Sequence, residues 1–340
     1  MNILITRRQP ILHAWFDALI LPFLSILFSL VLRVRLIWSK PKQRLLLSSL
    51  VTYPVKSLKG TEHNAIHAGE MGLEGDRCYM VIRCDTNRFV TQRQIPQLSL
   101  LGAKRMSDGR VSILGCGEHE VVISELPQGN SENILSVGIW DDTVRVVDCG
   151  DKAAVFMNKF VGHESDLKGK LRVVRLPKER GIYSRHTSPK HTPICSYVNF
   201  GFSLPNTSLA DGFPILLCNS ASLEDLNRRL SAKGEHPIKM KKFRPNIVVH
   251  GFVPFEEDSW KVLRINGVLL HVVKPCPRCK QSTVLDSGLG FDEKNEPLNT
   301  LSEYRRGEAN HKDDVYFGVN VIVQGLGGTL KAGGVCEVMV

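Results

Sequence analysis

The stretch Val268-Leu269-Leu270-His271-Val272-Val273-Lys274-Pro275-Cys276-Pro277-Arg278-Cys279 is the most informative part of this chain. Its first half is an apolar run typical of a buried strand. Its second half places two candidate thiolates beside a rigid proline and a permanent cation. Thiolates bind soft transition metals, and a guanidinium binds oxyanions through paired hydrogen bonds. The stretch therefore predicts a metal cofactor site at the end of a strand.

Three other uses of Cys276 and Cys279 stay open on these residues alone. A zinc site needs four ligands, but the chain has no second Cys-x-x-Cys, and His271 and His311 complete no recognised pattern. A thioredoxin-type redox pair would open a helix, whereas Lys280-Gln281-Ser282-Thr283-Val284 is typical of a loop and strand. The third possibility is a pair of buried cysteines without a chemical role, since cysteine is commonly a small core residue.

Short strands dominate the chain from residue 45 onward. Val144-Arg145-Val146-Val147 alternates with period two, which is typical of a half-buried strand. A dense series of strands with few helices favours barrel-like β domains over a doubly wound sheet, so we expect an α+β, mostly β fold. Further strands are predicted at 45–47, 49–55, 78–82, 111–114, 121–123, 246–250, 262–273, 282–285, 316–324 and 335–340.

Two helices are predicted among these strands. Asp151 caps the first, which continues to Val161 with Val155 on its apolar face. The capping box Ser222-Leu223-Glu224-Asp225 opens the second, which ends near Ala232. The stretch 176–213 between them is rich in Pro, Ser, Thr and Asn, so it is interpreted as a linker or as a loop that covers the site.

The net charge of +10 is concentrated at the N-terminus. Residues 1–44 contain seven arginines and lysines against the single Asp17, and the rest of the chain has no sustained basic run. This distribution argues against nucleic-acid binding. Nine cysteines without regular spacing are typical of reduced thiols in a cytosol-facing protein.

The uncharged run 18–32 is a candidate membrane anchor. As an α-helix it reaches about 22 Å, short of a hydrocarbon core of about 30 Å, but snorkelling of Arg33 and Arg35 extends the span. Basic residues follow the run where a cleaved secretory signal would have a small-residue cleavage site. We therefore expect a single retained transmembrane helix, in the mitochondrial outer membrane or, alternatively, in the endoplasmic reticulum.

Three further segments combine basic or small polar residues with turns. Taken singly, Arg77 beside Asp76 has an ordinary explanation as a surface ion pair, and Arg244 as the cap of a loop. Together with Pro275–Cys279, they resemble the MOSC family of molybdenum-cofactor proteins and, within it, the amidoxime-reducing members. The resemblance covers about residues 45–340, and its segments are Tyr53-Pro54-Val55-Lys56-Ser57-Leu58-Lys59-Gly60, Gly72-Leu73-Glu74-Gly75-Asp76-Arg77, Lys242-Phe243-Arg244-Pro245-Asn246-Ile247-Val248, Glu296-Pro297-Leu298 and Tyr304-Arg305.

The resemblance implies a MOSC N-terminal β-barrel-like domain over 45–175 packed on a MOSC β-barrel domain over 176–340, after an anchor segment over 1–44. It implies a Mo-molybdopterin cofactor and the reduction of amidoximes and hydroxylamines, which are N-hydroxylated small molecules, to amidines and amines. No flavin, haem or nicotinamide motif is evident in the sequence, so electrons must come from partners. For these partners the resemblance implies a b-type cytochrome and its NADH-dependent flavin reductase.

The resemblance also implies roles for individual residues. Cys279 would be the catalytic thiolate bound to molybdenum, with Cys276 behind it. The relatives usually have small hydroxyl residues at the positions of Gly212 and Phe213, and an aromatic residue at that of Asn320. The phosphate and pterin of the cofactor would be held by Lys56, Ser57, Arg77, Asp211, Gly212, Phe213, Arg244, Asn246, Pro277, Arg278, Cys279 and Asn320.

Two other functions are compatible with the same motifs. A non-catalytic carrier of the molybdenum cofactor would bind the pterin without turning over any N-hydroxylated substrate. The terminal domain of a cofactor sulfurase has similar motifs, but that enzyme needs a long pyridoxal-phosphate domain upstream. Only about 44 residues precede the resemblance here, so we rank the sulfurase last.

Overall fold

β-Strands form most of the regular structure of this protein. The computed structural model describes residues 39–115, 117, 119–123, 134–161, 169–177, 185–186, 206–307 and 313–340. In chain order the strands are β1 (Gln43–Thr52), β2 (Thr61–Glu62), β3 (Ala65–Gly69), β4 (Gly72–Leu73), β5 (Tyr79–Arg83), β6 (Arg88–Phe89), β7 (Gly102–Arg105), β8 (Val111–Leu114), β9 (Glu120–Ile123), β10 (Ile134–Ile139), β11 (Asp142–Asp148), β12 (Leu171–Arg175), β13 (Arg185–His186), β14 (Asn206–Thr207), β15 (Ile215–Asn219), β16 (Ile247–His250), β17 (Val262–Ile265), β18 (Val268–Arg278), β19 (Val315–Val323), β20 (Gly328–Lys331) and β21 (Val335–Val338).

The helices are few and short. The α-helices are α1 (Asp151–Val161), α2 (Ser220–Ala232) and α3 (Leu298–Ser302). Single 3₁₀ turns lie at Pro96–Leu100, Met240–Phe243, Glu256–Ser259 and Lys280–Thr283. Within the described ranges, no helix is long and apolar enough to cross a membrane. The predicted anchor, 18–32, lies outside the described residues.

The larger sheet closes into a barrel. Its strand order is β16-β15-β19-β18-β17-β21-β1-β2, and β16 also pairs with β1. β1 therefore closes a barrel whose other main strands, β15 to β19 and β21, come from the second half of the chain. Alternation along β1 buries Leu45, Leu47 and Leu50 inside this barrel, whereas Leu46 stays half exposed. This barrel supplies β18, which carries the cysteine motif.

A second, smaller barrel has the closed strand order β10-β11-β12-β5-β6. Three-stranded sheets β20-β3-β4 and β7-β8-β9 flank the barrels. The expectation of mostly β structure with barrel-like domains is confirmed. A bridge between Val55 and Tyr79 connects the segment after β1 to the start of β5, so residues on both sides of this bridge lie close together.

The first helix is where the sequence predicts it, but with a different buried face. Ala153, Ala154, Met157 and Val161 are buried, whereas Val155 is 68% exposed. The prediction was wrong at Val155 because it followed the largest apolar side chains. Two alanines carry the contact because their small side chains let the helix lie close to the sheet.

The second helix has its N-cap three residues before the predicted one. Asn219 is the N-cap, and its side chain accepts a hydrogen bond from the Ala221 N–H at 3.1 Å. Ser222, predicted as the cap, is buried within the first turn instead. Its hydroxyl lies 2.8 Å and 3.0 Å from the two carboxylate oxygens of Glu257.

Two predicted strands have a different form in the structure. Residues 262–273 are a hairpin of β17 and β18, which turns at Asn266 and Gly267, both with positive φ. Residues 280–283 form a 3₁₀ turn rather than the start of a strand. Before this turn, β18 continues to Arg278, so most of the cysteine motif is itself strand.

Glu257 gives a testable dependence of stability on pH. Its side chain is fully buried, and burial raises the pKa of Glu257 from 4.5 to about 7. Because the folded protein holds the proton of Glu257 more tightly than the unfolded chain does, the raised pKa stabilises the fold. This contribution is fully present below pH 4.5 and is lost as the pH rises to about 7. Relative to Glu257→Gln, we expect the wild-type free energy of unfolding to fall by about 3 kcal/mol between pH 4.5 and 7. Denaturant titrations of both proteins across this range measure it, and a pH-independent difference would contradict the assignment.

Candidate functional site

All the residues that the sequence predicts to hold the cofactor line one pocket. The pocket has a volume of about 310 Å³ and lies where the larger barrel meets the segments that lead into the smaller one. The predicted residues in its wall are Lys56, Ser57, Arg77, Asp211, Gly212, Phe213, Arg244, Asn246, Pro277, Arg278, Cys279 and Asn320. It is also lined by Ala210, Leu216, Phe243, Lys274, Cys276 and Gln281.

Cys279 presents a free, accessible thiol to this pocket. It follows the last residue of β18 with extended backbone, and it is exposed. Cys276 is also free but half buried, and its sulfur accepts a hydrogen bond from Arg278 Nη1 at 3.1 Å. No group of three or more His, Cys, Asp or Glu side chains that could hold a metal ion occurs in the described part of the chain.

The strand that carries the cysteine motif is irregular at the pocket. The register of β18 against β19 shifts between Val272 and Lys274 and again between Pro275 and Pro277. Such shifts turn the strand and change the direction of the side chains that follow. Prolines suit this place because their missing N–H groups need no partner at an irregular ladder. The two shifts explain how consecutive motif residues reach the same pocket.

Two arginines of the pocket stack on the ring of Tyr53. The guanidinium carbons of Arg77 and Arg244 lie 4.4 Å and 4.2 Å from the centroid of the Tyr53 ring. The Tyr53 hydroxyl donates to the Pro245 carbonyl at 3.2 Å, and burial raises the pKa of Tyr53 to about 12. The ring thus fixes two cations, from segments far apart in sequence, beside each other.

Arg77 and Asp76 form a buried ion pair. The distance from Arg77 Nη1 to the Asp76 carboxylate is 2.6 Å, and the two side chains are 13% and 1% exposed. The interpretation of this pair as a surface ion pair was therefore wrong. Burial raises the pKa of Asp76, and the attraction of Arg77 opposes this shift. Arg77 Nη1 also donates to Asn246 Oδ1 at 2.8 Å, which ties the pair to the start of β16.

The other arginines of the pocket are held by carbonyl groups. Arg244 Nη1 donates to the Leu58 carbonyl at 2.6 Å, and burial lowers the pKa of Arg244 to about 10. Arg278 Nη2 donates to the Phe243 carbonyl at 2.8 Å. The Nε atom of Arg278 is buried and has no hydrogen-bond partner among the described residues. A buried donor without a partner is costly, so this atom is suited to an acceptor that is not part of the protein.

Lys56 and Asp211 form the remaining charged contact of the pocket. Lys56 Nζ lies 2.6 Å from Asp211 Oδ1 and donates to the Leu209 carbonyl at 2.9 Å. Desolvation would raise the pKa of Asp211, but the attraction of Lys56 and Arg93 and the hydrogen bonds from Lys56 and Trp140 together hold this pKa below its usual range. Trp140 Nε1 also donates to Asp211 Oδ1, at 3.1 Å. Asp211–Phe213 lie just before β15.

Three of the predicted residues have left-handed backbone. The φ angles are 72° at Ser57, 46° at Arg77 and 58° at Arg244. Non-glycine residues rarely adopt this conformation, and it costs of order 1 kcal/mol or more at each position. All three occur in the wall of the same pocket, which is typical of a functional site whose surroundings enforce an unfavourable backbone.

Lys274 and Tyr53 are the main site residues that sequence reasoning missed. Lys274 directly precedes the cysteine motif, so its position next to Pro275 was the available signal. Tyr53 begins one of the quoted segments, but an aromatic residue at the end of a strand is ordinary, and nothing in the sequence places it between Arg77 and Arg244. Both residues shape how the pocket presents its positive charge.

The stacking on Tyr53 gives a prediction about stability. Tyr53→Phe keeps both stacks and loses one hydrogen bond, so it should lower the free energy of unfolding by about 1 kcal/mol. Tyr53→Leu also loses both cation–π contacts and should cost about 1–4 kcal/mol more. Denaturant unfolding of the two variants measures the difference. Equal effects of the two substitutions would show that the ring contributes nothing to holding Arg77 and Arg244.

Two known domain families match this chain. Residues 44–164 match the MOSC N-terminal beta barrel domain, and residues 205–337 match the MOSC domain. These matches include every predicted residue of the pocket. They define a MOSC protein with its N-terminal β-barrel domain.

Individual relatives extend the match over most of the chain. Mitochondrial amidoxime reducing component 2 of Homo sapiens is 31% identical over 308 residues, which cover 87% of this chain and 85% of that protein. The component 2 protein of Rattus norvegicus is 33% identical over 279 residues, or 78% of this chain and 76% of its own length. Mitochondrial amidoxime-reducing component 1 of Homo sapiens is 29% identical over 311 residues, with 87% and 85% covered. The protein belongs to the MOSC family.

Proposed function

We propose that this protein is a molybdenum-cofactor oxidoreductase that reduces N-hydroxylated compounds such as amidoximes and hydroxylamines to amidines and amines. The observation that carries the proposal is the pocket, in which an accessible thiol faces cations from distant parts of the chain. Relatives named amidoxime reducing components, similar over most of the chain, support the substrate class.

The charge of the pocket suits a pterin with a phosphate group. Lys56, Arg77, Arg244 and Arg278 contribute four cations to its wall, and Asp211 contributes a single carboxylate. A phosphate taken out of water needs several charge-assisted hydrogen bonds to offset its desolvation. The unpartnered Nε of Arg278 adds a buried donor that an oxygen or nitrogen acceptor of the cofactor would satisfy. These features of the protein therefore fit the group.

The chemistry of Cys279 suits the metal. A thiolate is a soft ligand, and soft ligands select soft transition metals over hard cations such as magnesium. Cys279 would bind the molybdenum, while Lys56, Ser57, Arg77, Arg244 and their neighbours would hold the phosphate and pterin. When bound, the cofactor supplies the two-electron redox chemistry. The chain itself binds and orients the cofactor and the substrate.

The electron donors and the location complete the proposal. The proposed donors are a b-type cytochrome and its NADH-dependent flavin reductase. The proposed location is the cytosolic face of the mitochondrial outer membrane. The name of the relatives includes the word mitochondrial, which supports this membrane over the endoplasmic reticulum. An anchor over 1–44 would tether two domains, 45–175 and 176–340.

Amidoxime reduction by the full chain tests the proposed function. The protein, purified from a host that makes the molybdenum cofactor, is assayed with benzamidoxime, first with a chemical reductant and then with the cytochrome and reductase. We expect benzamidine to form with both donors. Cofactor-loaded protein that reduces no N-hydroxylated compound would refute catalysis and leave the carrier function.

A further inference from the structure

Most cations of the pocket are already engaged by the protein. Lys56 pairs with Asp211, and Arg77 pairs with Asp76. Arg244 and Arg278 donate to backbone carbonyls. These contacts hold the four side chains in place beside the predicted cofactor position.

Lys274 differs from these four cations. It lines the same pocket and is half buried, yet it has no hydrogen bond or ion pair with any residue in the described ranges. Its Nζ atom lies 5.8 Å from the centroid of the Phe213 ring. Burial lowers the pKa of Lys274, since the pocket withdraws the ammonium from water, and the attraction of Cys276 and Asp314 opposes this shift without cancelling it.

Asn320 provides a second polar group at the same place. It lies opposite Lys274 in the pairing of β18 with β19, and the residue is only 8% exposed. Its side chain lines the pocket and makes no hydrogen bond to the described part of the protein. The half-buried ammonium and the nearly buried amide are adjacent, and neither has a partner among the described residues. Both can therefore donate hydrogen bonds to a bound acceptor.

We infer that Lys274 and Asn320 form an anion subsite of the pocket, and that the preferred substrates carry a carboxylate in addition to the N-hydroxylated group. This assignment moves Asn320 from the cofactor, where the family resemblance places it, to the substrate. The identification of the bound carboxylate as part of a substrate rests on the proposed function. The subsite itself is a property of these two side chains and the ring of Phe213.

The surroundings favour an organic carboxylate over a small inorganic anion. Phe213 supplies an aromatic face beside the ammonium, and Leu216 adds an apolar side chain to the same wall. An aromatic or aliphatic body bearing a carboxylate would contact these apolar groups while its charge pairs with Lys274. A charge-assisted hydrogen bond from the ammonium and a neutral one from the Asn320 amide would offset the desolvation of the carboxylate.

Direct binding tests the subsite without requiring turnover. Benzoate and benzamide are matched probes, since they share a ring and differ in charge. Titration calorimetry on the purified full chain should show benzoate binding at least about tenfold tighter than benzamide. Lys274→Met should abolish this preference, and Lys274→Arg should keep it. Lys261→Met, which removes an exposed lysine outside the pocket, is the control and should behave as wild type.

Kinetics and cofactor content separate the possible roles of Lys274. For benzamidoxime with a para-carboxylate, Lys274→Met should raise KM about tenfold, with kcat within about twofold and unsubstituted benzamidoxime unaffected. The pterin content of Lys274→Met should equal that of wild type. Loss of pterin from this variant would assign Lys274 to the cofactor and overturn the inference. Equal binding of benzoate and benzamide by the wild type would also overturn it, whether or not the protein reduces amidoximes.

Discussion

Cys279→Ser is expected to lose its molybdenum and to reduce benzamidoxime at less than about a hundredth of the wild-type rate. A serine hydroxyl stays protonated at neutral pH and is a hard ligand, so it cannot replace a soft thiolate. Cys279 is exposed, so the free energy of unfolding should change by no more than about 0.5 kcal/mol. Metal analysis, steady-state kinetics and denaturant unfolding of the same preparation measure the three quantities.

Cys84→Ser is the matched control for this prediction. Cys84 is also free and exposed, but it follows β5 in the smaller barrel and does not line the pocket. Its replacement should leave metal content and rate at wild-type levels. Retention of molybdenum and turnover by Cys279→Ser would remove Cys279 from its assigned role.

Arg77→Met is expected to lower the free energy of unfolding by about 3–5 kcal/mol, because it leaves the buried Asp76 carboxylate without its cation. Without Arg77, burial would raise the pKa of Asp76 further, and only the hydrogen bonds from Tyr53 and Asn246 would oppose it. A raised carboxyl pKa costs stability as pH rises, so the defect should be largest at neutral pH and smaller in acid. Denaturant unfolding at several pH values measures both effects.

Two further variants make the test of the buried pair specific. The double variant Asp76→Asn with Arg77→Met removes both charges and should recover much of the lost stability. Arg110→Met breaks the pair with Asp108, in which both side chains are 46% exposed, and should change stability far less than Arg77→Met does, since solvent screens the exposed pair. The account of the pocket would fail if Arg77→Met were no more destabilising than Arg110→Met.

The strands and the mostly β fold were predictable because period-two patterns and apolar runs are local signals. The apolar pattern predicts one strand over 262–273, but the structure has a hairpin that turns at Asn266 and Gly267. Asn-Gly is a strong hairpin signal, so this turn was also predictable from the sequence. The N-cap of α2 was misplaced for a related reason, since Asn219 and Ser222 are both good caps and only tertiary contacts select one.

The convergence of the site residues was predictable only through the family resemblance. Lys56, Arg77 and Arg244 are far apart in the sequence, and no spacing rule brings them together. Their meeting depends on the bridge from Val55 to Tyr79 and on β1 joining the larger barrel. The left-handed backbone at Arg77 and Arg244 was equally hidden, since arginine carries no local signal for that conformation.

The metal and pterin content of the full chain, made in a host that supplies the molybdenum cofactor, tests the central claim most directly. We expect stoichiometric molybdenum and pterin in wild type, with a protein thiolate on the metal by X-ray absorption, and no molybdenum in Cys279→Ser. Folded protein from the same host without molybdenum or pterin would contradict the claim that this pocket holds the cofactor.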